Sequence, residues 1–158
     1  MKPRPPQINA TWLISYLLGE GVPADVIEAG ANLSEVTQLA TLKKLPLLQY
    51  LKLLNVAAGY LGDNNLGLNL AETFKADDFG CVGLAVNHST TMRDALRTAH
   101  QFQSLFSQGI DMVFEEGPAT SSFTYRHLLP VDEDVRHDVE HSLASLTQQF
   151  RALLGESW

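Results

Sequence analysis

An α+β fold, mainly helical, is predicted by three features of the sequence. Apolar residues recur every three or four positions through most of residues 9–106, the period drops to two over residues 110–126, and helical spacing then returns up to Gly155. The expected order is several amino-terminal helices, a helix packed on a β-hairpin, and a long carboxy-terminal helix.

From Asn9 onward Trp12, Leu13, Tyr16 and Leu17 share one helical face until Gly19 and Gly21 interrupt it, which predicts a first short helix. Pro23 at a helix start and Gly30 at its end bracket a second over residues 24–29. Leu33 to Lys44 mixes apolar and polar residues without glycine and reads as another short helix. Pro46 opens a stronger one, in which Leu47, Leu51, Leu54, Ala58 and Leu61 fall on one stripe and Gly62 is the stop. Asp63 can cap the next helix, where Leu66, Leu70 and Phe74 share a face. The apolar run from Gly80 to Val86 is read as helix, although its period alone does not separate a helix from a buried strand. Thr91 with Asp94 three residues on resembles a capping box, aspartate standing where glutamate is usual. It opens a helix striped by Met92, Ala95, Leu96, Ala99, Phe102 and Phe106 and expected to run to Gly109.

Beyond Gly109 the period is twofold: Ile110, Met112 and Phe114 alternate with Asp111, Val113 and Glu115, and Phe123 and Tyr125 alternate with Thr124 and Arg126. Gly117-Pro118 between the runs makes this a hairpin. Asp132 can cap a last helix with Glu133 and Asp134 in its first turn, where they suit the dipole. Its stripe is Val135, Val139, Leu143, Leu146, Phe150 and Leu153, and Gly155 is its stop. Two strands alone are marginal, so either helices cover the hairpin or further strands belong with it.

The chain of 158 residues fits one domain, expected over residues 9–158 behind a flexible, proline-rich arm at residues 1–8. With 45% hydrophobic and 18% charged residues it can bury a sizeable core, which excludes intrinsic disorder. The net charge is −7, and neither half carries the clustered Lys and Arg that phosphate binding needs. The lone Cys81 cannot form an internal disulfide and has apolar or small neighbours, which suits a cytoplasmic protein with an inert thiol. The most apolar stretch, Leu45 to Leu61, is broken by Gln49, Lys52 and Asn55 and cannot span a membrane. The start is too short and proline-rich for a signal peptide.

Few patterns suggest catalysis. His137 and His141, four apart on the last helix with Glu133 a turn earlier, would place two imidazoles on one face and could bind zinc. The glutamate is misplaced for an HExxH site, and Glu140, Ala144 and Gln148 make that face read as solvated. His88 reads as a loop or capping group and His100 as a boundary residue. His127 continues the Phe123 and Tyr125 face, where it would put a polar tip in an apolar cleft. There is no Gly-x-Ser-x-Gly elbow and no glycine-rich phosphate loop.

Three segments in order, Ala57 to Leu68, Phe79 to Gly83 and Ser89 to Arg97, resemble the amino-terminal effector domain of AraC-type transcriptional regulators, in its arabinose-binding-like rather than cupin branch. The similarity continues more loosely through the hairpin and the helix containing Glu140. Its residues are scaffold residues: Gly62 can end one helix, Asp63 start the next, and Thr91 fix the start of the helix carrying Arg93 and Arg97 on its wet side. Regulators of this kind continue into further strands and a basic domain with two helix-turn-helix motifs, so the resemblance implies a truncated regulatory portion that reaches DNA only through that carboxy-terminal domain.

The function implied is non-enzymatic: sensing of a small-molecule effector and self-association, with no cofactor and no membrane partner. The effector pocket is expected between the Met92 to Phe106 stripe and the hairpin, lined by Phe102, Phe106, Met112, Phe114, Phe123, Tyr125 and His127. A homodimer is expected, with the Asp132 to Leu154 helix as first candidate surface. The competing reading is a small metal-dependent enzyme or metal-binding domain using His137 and His141.

Overall fold

The computed structural model describes residues 5–33, 44–105, 107–128 and 130–155. Its order is β1 (Gln7–Asn9), α1 (Thr11–Gly19), α2 (Ala24–Ala31), β2 (Lys44–Pro46), α3 (Leu47–Leu61), α4 (Leu66–Thr73), α5 (Cys81–Asn87), α6 (Met92–Phe102), β3 (Ile110–Glu116), β4 (Ser121–His127) and α7 (Arg136–Leu154). Short 3-10 turns at Ala76–Phe79 and Gln103–Leu105 precede α5 and follow α6. The fold is α+β and mainly helical, as the periodicity predicts.

Helix α3 is the centre of the core. Its Tyr50, Leu51, Leu53, Leu54 and Ala57 are fully buried, because the step of three and four positions keeps them on one wide face. Helix α2 lies against it at Gly30, where a Cβ would come within 3.0 Å of Leu53. That helix therefore runs two residues past its expected end, and Asn32 in the left-handed region (φ 52°) closes it. Gly62 (φ 64°) ends α3 as expected. Asp63 does not cap α4 directly: its carboxylate accepts the Asn65 N–H and the Asn69 side-chain amide, both at 2.8 Å, and α4 starts at Leu66. The helix expected over Leu33 to Lys44 lies outside the described residues except at its two ends, of which Lys44 belongs to β2.

The β1–β2 ladder has no counterpart in the sequence reading. Gln7 and Ile8, expected in a flexible arm, pair antiparallel with Pro46 and Leu45, and the Leu47 N–H donates to the Pro6 carbonyl at 2.9 Å. Three-residue strands flanked by prolines carry no readable alternation. The other edge of β1 meets the segment before β3, with Ile8 bridging Ser107 and the Gln108 N–H donating to the Gln7 carbonyl at 3.0 Å.

The β3–β4 hairpin has the expected register, with Met112 opposite Tyr125 and Phe114 opposite Phe123. Helices cover its inner face. Thr91 caps α6 by accepting the Asp94 N–H at 3.1 Å, and its hydroxyl donates back to the Asp94 carboxylate at 2.7 Å. Arg93 and Arg97 on the outer side of α6 both pair with Glu116 at the end of β3, at 2.8 and 2.6 Å. Helix α6 stops at Phe102 rather than near Gly109. Gln103 turns the chain there, its side-chain oxygen accepting the Met112 N–H at 2.5 Å.

Helix α7 departs most from expectation. It begins at Arg136, whose N–H is taken by Asp134 at 2.9 Å, and Asp132 lies ahead of it without capping. Its buried residues are His137, Asp138, His141 and Ser145, on the face read from sequence as solvated. Close approach to α4 makes this possible. A Cβ on Gly67 would fall against the His137 carbonyl and within 2.9 Å of both His137 Cα and Glu140 Cβ. Gly67→Ala should therefore destabilise the protein by about 1–3 kcal/mol through overpacking. Gly59→Ala, in α3 with nothing within 4 Å of the new methyl, should be neutral or stabilising by up to about 1 kcal/mol. Urea unfolding of both variants checks the contrast.

Candidate functional site

A cavity of about 110 Å³ lies between α5, α6, the hairpin and α7. A water molecule needs roughly 10–15 Å³ on this scale, so the space is several times larger than a packing defect. Val82 and Val86 of α5 face it from one side, and Ala95, Leu96 and Ala99 of α6 from another. Helix α7 supplies Asp138 and Ser142 together with Leu146, Phe150 and Leu153 of its apolar stripe, and Trp12, Tyr50 and Phe74 close the inner end. The stripe read from sequence as a core or pairing surface is thus divided. Val135 packs on the core, the carboxy-terminal part lines the cavity, and Leu143, a lining residue, is also 45% exposed.

Of the residues expected to line a pocket, Met112, Phe123 and Tyr125 do so. Phe114 is half-buried on the hairpin but is not part of the wall. Phe102, the last residue of α6, is 41% exposed and is not part of the wall. Phe106 lies outside the described residues. His127 stands behind the wall, bonded to one of its members. The lining residues Trp12, Tyr50, Asp138, His141 and Ser142 were not singled out for a pocket. The only signal for them was that Tyr125 and His127 carry two polar tips on one strand face, which need a buried partner once covered.

That partner is Asp138. Only 1% exposed, it accepts from the Tyr125 hydroxyl at 2.7 Å and from His127 Nε2–H at 2.8 Å on the same oxygen. Burial and then the Asp138 charge hold the Tyr125 phenol well above its ordinary range, and the same two causes in the same order raise Tyr50. Beside them His141, 5% exposed, is stacked on Trp12 with centroids 4.5 Å apart and meets the edge of Phe74 at 5.0 Å. Its Nε2 has no hydrogen-bond partner among the described residues. Burial lowers its pKa to about 4 against a smaller opposing pull from Asp138, so the ring is neutral at pH 7.

His137 and His141 are both buried, which corrects the expectation of a solvated helix surface, and they serve different neighbours. His137 Nδ1 accepts the Gly67 N–H at 3.4 Å, whereas His141 faces Trp12 and Phe74. Among the described residues no three His, Cys, Asp or Glu side chains gather as a metal site, and Glu133 lies outside α7. Nothing in this geometry favours the metal-dependent reading.

A family model described as "Arabinose-binding domain of AraC transcription regulator, N-term" matches residues 21–158. The chain belongs to this family. It is a ligand-sensing regulatory domain by that membership, and the matched span supplies the whole cavity wall except Ile8, Asn9 and Trp12. Among curated proteins none matches the chain. No helix among the described residues is long and apolar enough to cross a membrane.

The buried imidazole gives this domain a pH signature. An unfolded histidine titrates near 6.5, whereas folded His141 titrates at about 4, so the unfolded state binds its proton first as pH falls. The stability tied to the neutral ring is complete above pH 6.5 and is lost progressively from there down to about pH 4, by about 3 kcal/mol in all. In His141→Phe, which keeps a ring for Trp12 to stack on, the fall in stability between pH 7 and pH 4 should be smaller than in the parent by that order. Denaturant titrations at the two pH values measure the difference.

Proposed function

We propose that this chain is the effector-sensing and dimerising portion of an AraC-type regulator, and that its effector occupies the cavity between α5, α6, the hairpin and α7. The observation that carries this reading is the cavity itself, enclosed by elements of the family domain and far larger than a packing defect. The role is non-enzymatic: the strongest polar groups, Asp138, Tyr125 and His127, are engaged with one another and act as a scaffold. Met112, Phe123 and Tyr125 contact the effector, and residues 9–158, joined by Gln7 and Ile8 of β1, act as one regulatory unit in the cytoplasm. DNA contact falls to a separate helix-turn-helix domain, in keeping with the net charge of −7.

Self-association uses the outer side of α7. Leu143 and Leu154, eleven residues apart and so nearly in line on the helix, are 45% and 47% exposed. Apolar residues aligned this way suit pairing with a second copy.

Two measurements test the reading. A thermal-shift screen of amino acids, fatty acids and aromatic acids should yield a ligand that raises Tm by several degrees when present at about a hundred times its Kd. The shift should vanish in Leu146→Trp, which fills the cavity. Light scattering should give a dimer mass well above micromolar concentration and a monomer for Leu143→Asp/Leu154→Asp. A monomeric parent, or sequence-specific DNA binding by the 158-residue chain alone, would overturn the corresponding part.

A further inference from the structure

The cavity is strongly graded along its length. Its α7 wall runs from Asp138 to Leu153, and at the 1.5 Å rise of a helix this spans about 22 Å. At the amino-terminal end stand Asp138, His141 and Ser142, with Tyr50 and Tyr125 beside them. Asn9 and a second carboxylate, Asp78, also line the cavity, and Asp78 accepts the Lys75 N–H at 2.8 Å. Toward the other end the wall is Leu146, Phe150 and Leu153, facing Val82 and Val86, and Gln149 is its one polar residue on α7.

From this gradient we infer that the effector is an elongated, mainly aliphatic molecule with an uncharged hydrogen-bonding head, an alcohol or amide, rather than a sugar or a carboxylate. The inference rests on the reading of the cavity as the effector site. Three observations carry it. A sugar presents hydroxyls around its whole ring, and at the Phe150 end most would lose water without gaining a partner, each at a cost comparable to a broken hydrogen bond. A carboxylate would be placed near buried Asp138, and no Lys or Arg is among the lining residues to offset the repulsion. An alcohol or amide, in contrast, can both donate and accept and so satisfies the unpartnered His141 Nε2 in either tautomer of the ring, while its chain fills the apolar end. An ammonium head is the poorer fit, because both lining carboxylates are already engaged, Asp138 Oδ2 by Tyr125 and His127 and Asp78 Oδ2 by the Lys75 N–H.

The stacking of Trp12 on His141 supplies the readout. In the Trp158→Phe chain, Trp12 is the only tryptophan, and its emission should respond to a head group reaching His141. Titration with 1-decanol should give a saturable change, with affinity at least tenfold tighter than for decanoate and no response to L-arabinose. His141→Leu should weaken decanol about tenfold, and Leu146→Phe or Val86→Phe, with the fold checked by circular dichroism, should abolish binding. If decanoate, decylamine or L-arabinose binds more tightly than decanol and loses binding in Val86→Phe, the head-group assignment is wrong while the cavity remains the effector site. If none of the probes binds saturably and Val86→Phe is as stable as the parent with its cavity filled, the inference and the effector-site reading both fail.

Discussion

One buried carboxylate holds the two halves of this domain in register. Asp138 sits in the first turn of α7 and takes hydrogen bonds from Tyr125 and His127 on the last strand of the hairpin. An ionised side chain with 1% exposure is costly unless its oxygens are well satisfied, and removing one partner of such a set costs more than the set contributes. The hairpin, which as two strands is marginal, is thereby docked to α7 at one defined position along the helix. The cavity wall follows from it, since Met112, Phe123 and Tyr125 come from the hairpin and Leu146, Phe150 and Leu153 from the helix.

Helix α7 achieves this by reversing the usual arrangement of an amphipathic helix. Its first half turns His137, Asp138 and His141 inward and packs them against α4 and the aromatic residues Trp12 and Phe74, through the close approach that Gly67 allows. The apolar stripe is then rotated partly away from the core. What would have been dry packing in a conventional helix becomes the side of a void, with one edge at Leu143 left facing water. Dry packing and open space are therefore competing uses of the same stripe.

Much of the fold was legible in the sequence, and the failures have local physical causes. The α3 stripe, the Thr91 cap and the twofold period of the hairpin are repeated signals, each carried by several residues over a full element. Strands β1 and β2 span three residues each, and their pairing depends on partners some forty residues apart. The early end of α6 is set by one long-range contact, Gln103 to Met112. For the site, three wall residues, Met112, Phe123 and Tyr125, were readable as an alternating apolar face on the hairpin. The polar end was not, because side chains such as Asp138 and His141 look solvated on a helical wheel until a glycine on another helix brings a neighbour against them.

The double pairing of β1 has a consequence for the order of assembly. Ile8 lies between Leu45 on one edge and Ser107 on the other, so β1 completes its contacts only once the residues just past α6 are in place. Such pairing across a long stretch of sequence is slow, because the loop must close before its contacts reward it. The α2–α3 packing is local and forms without it. The α2–α3 pair therefore precedes the two-edged strand, and Trp12, just past that strand, comes to rest only when His141 of α7 is there to stack on it.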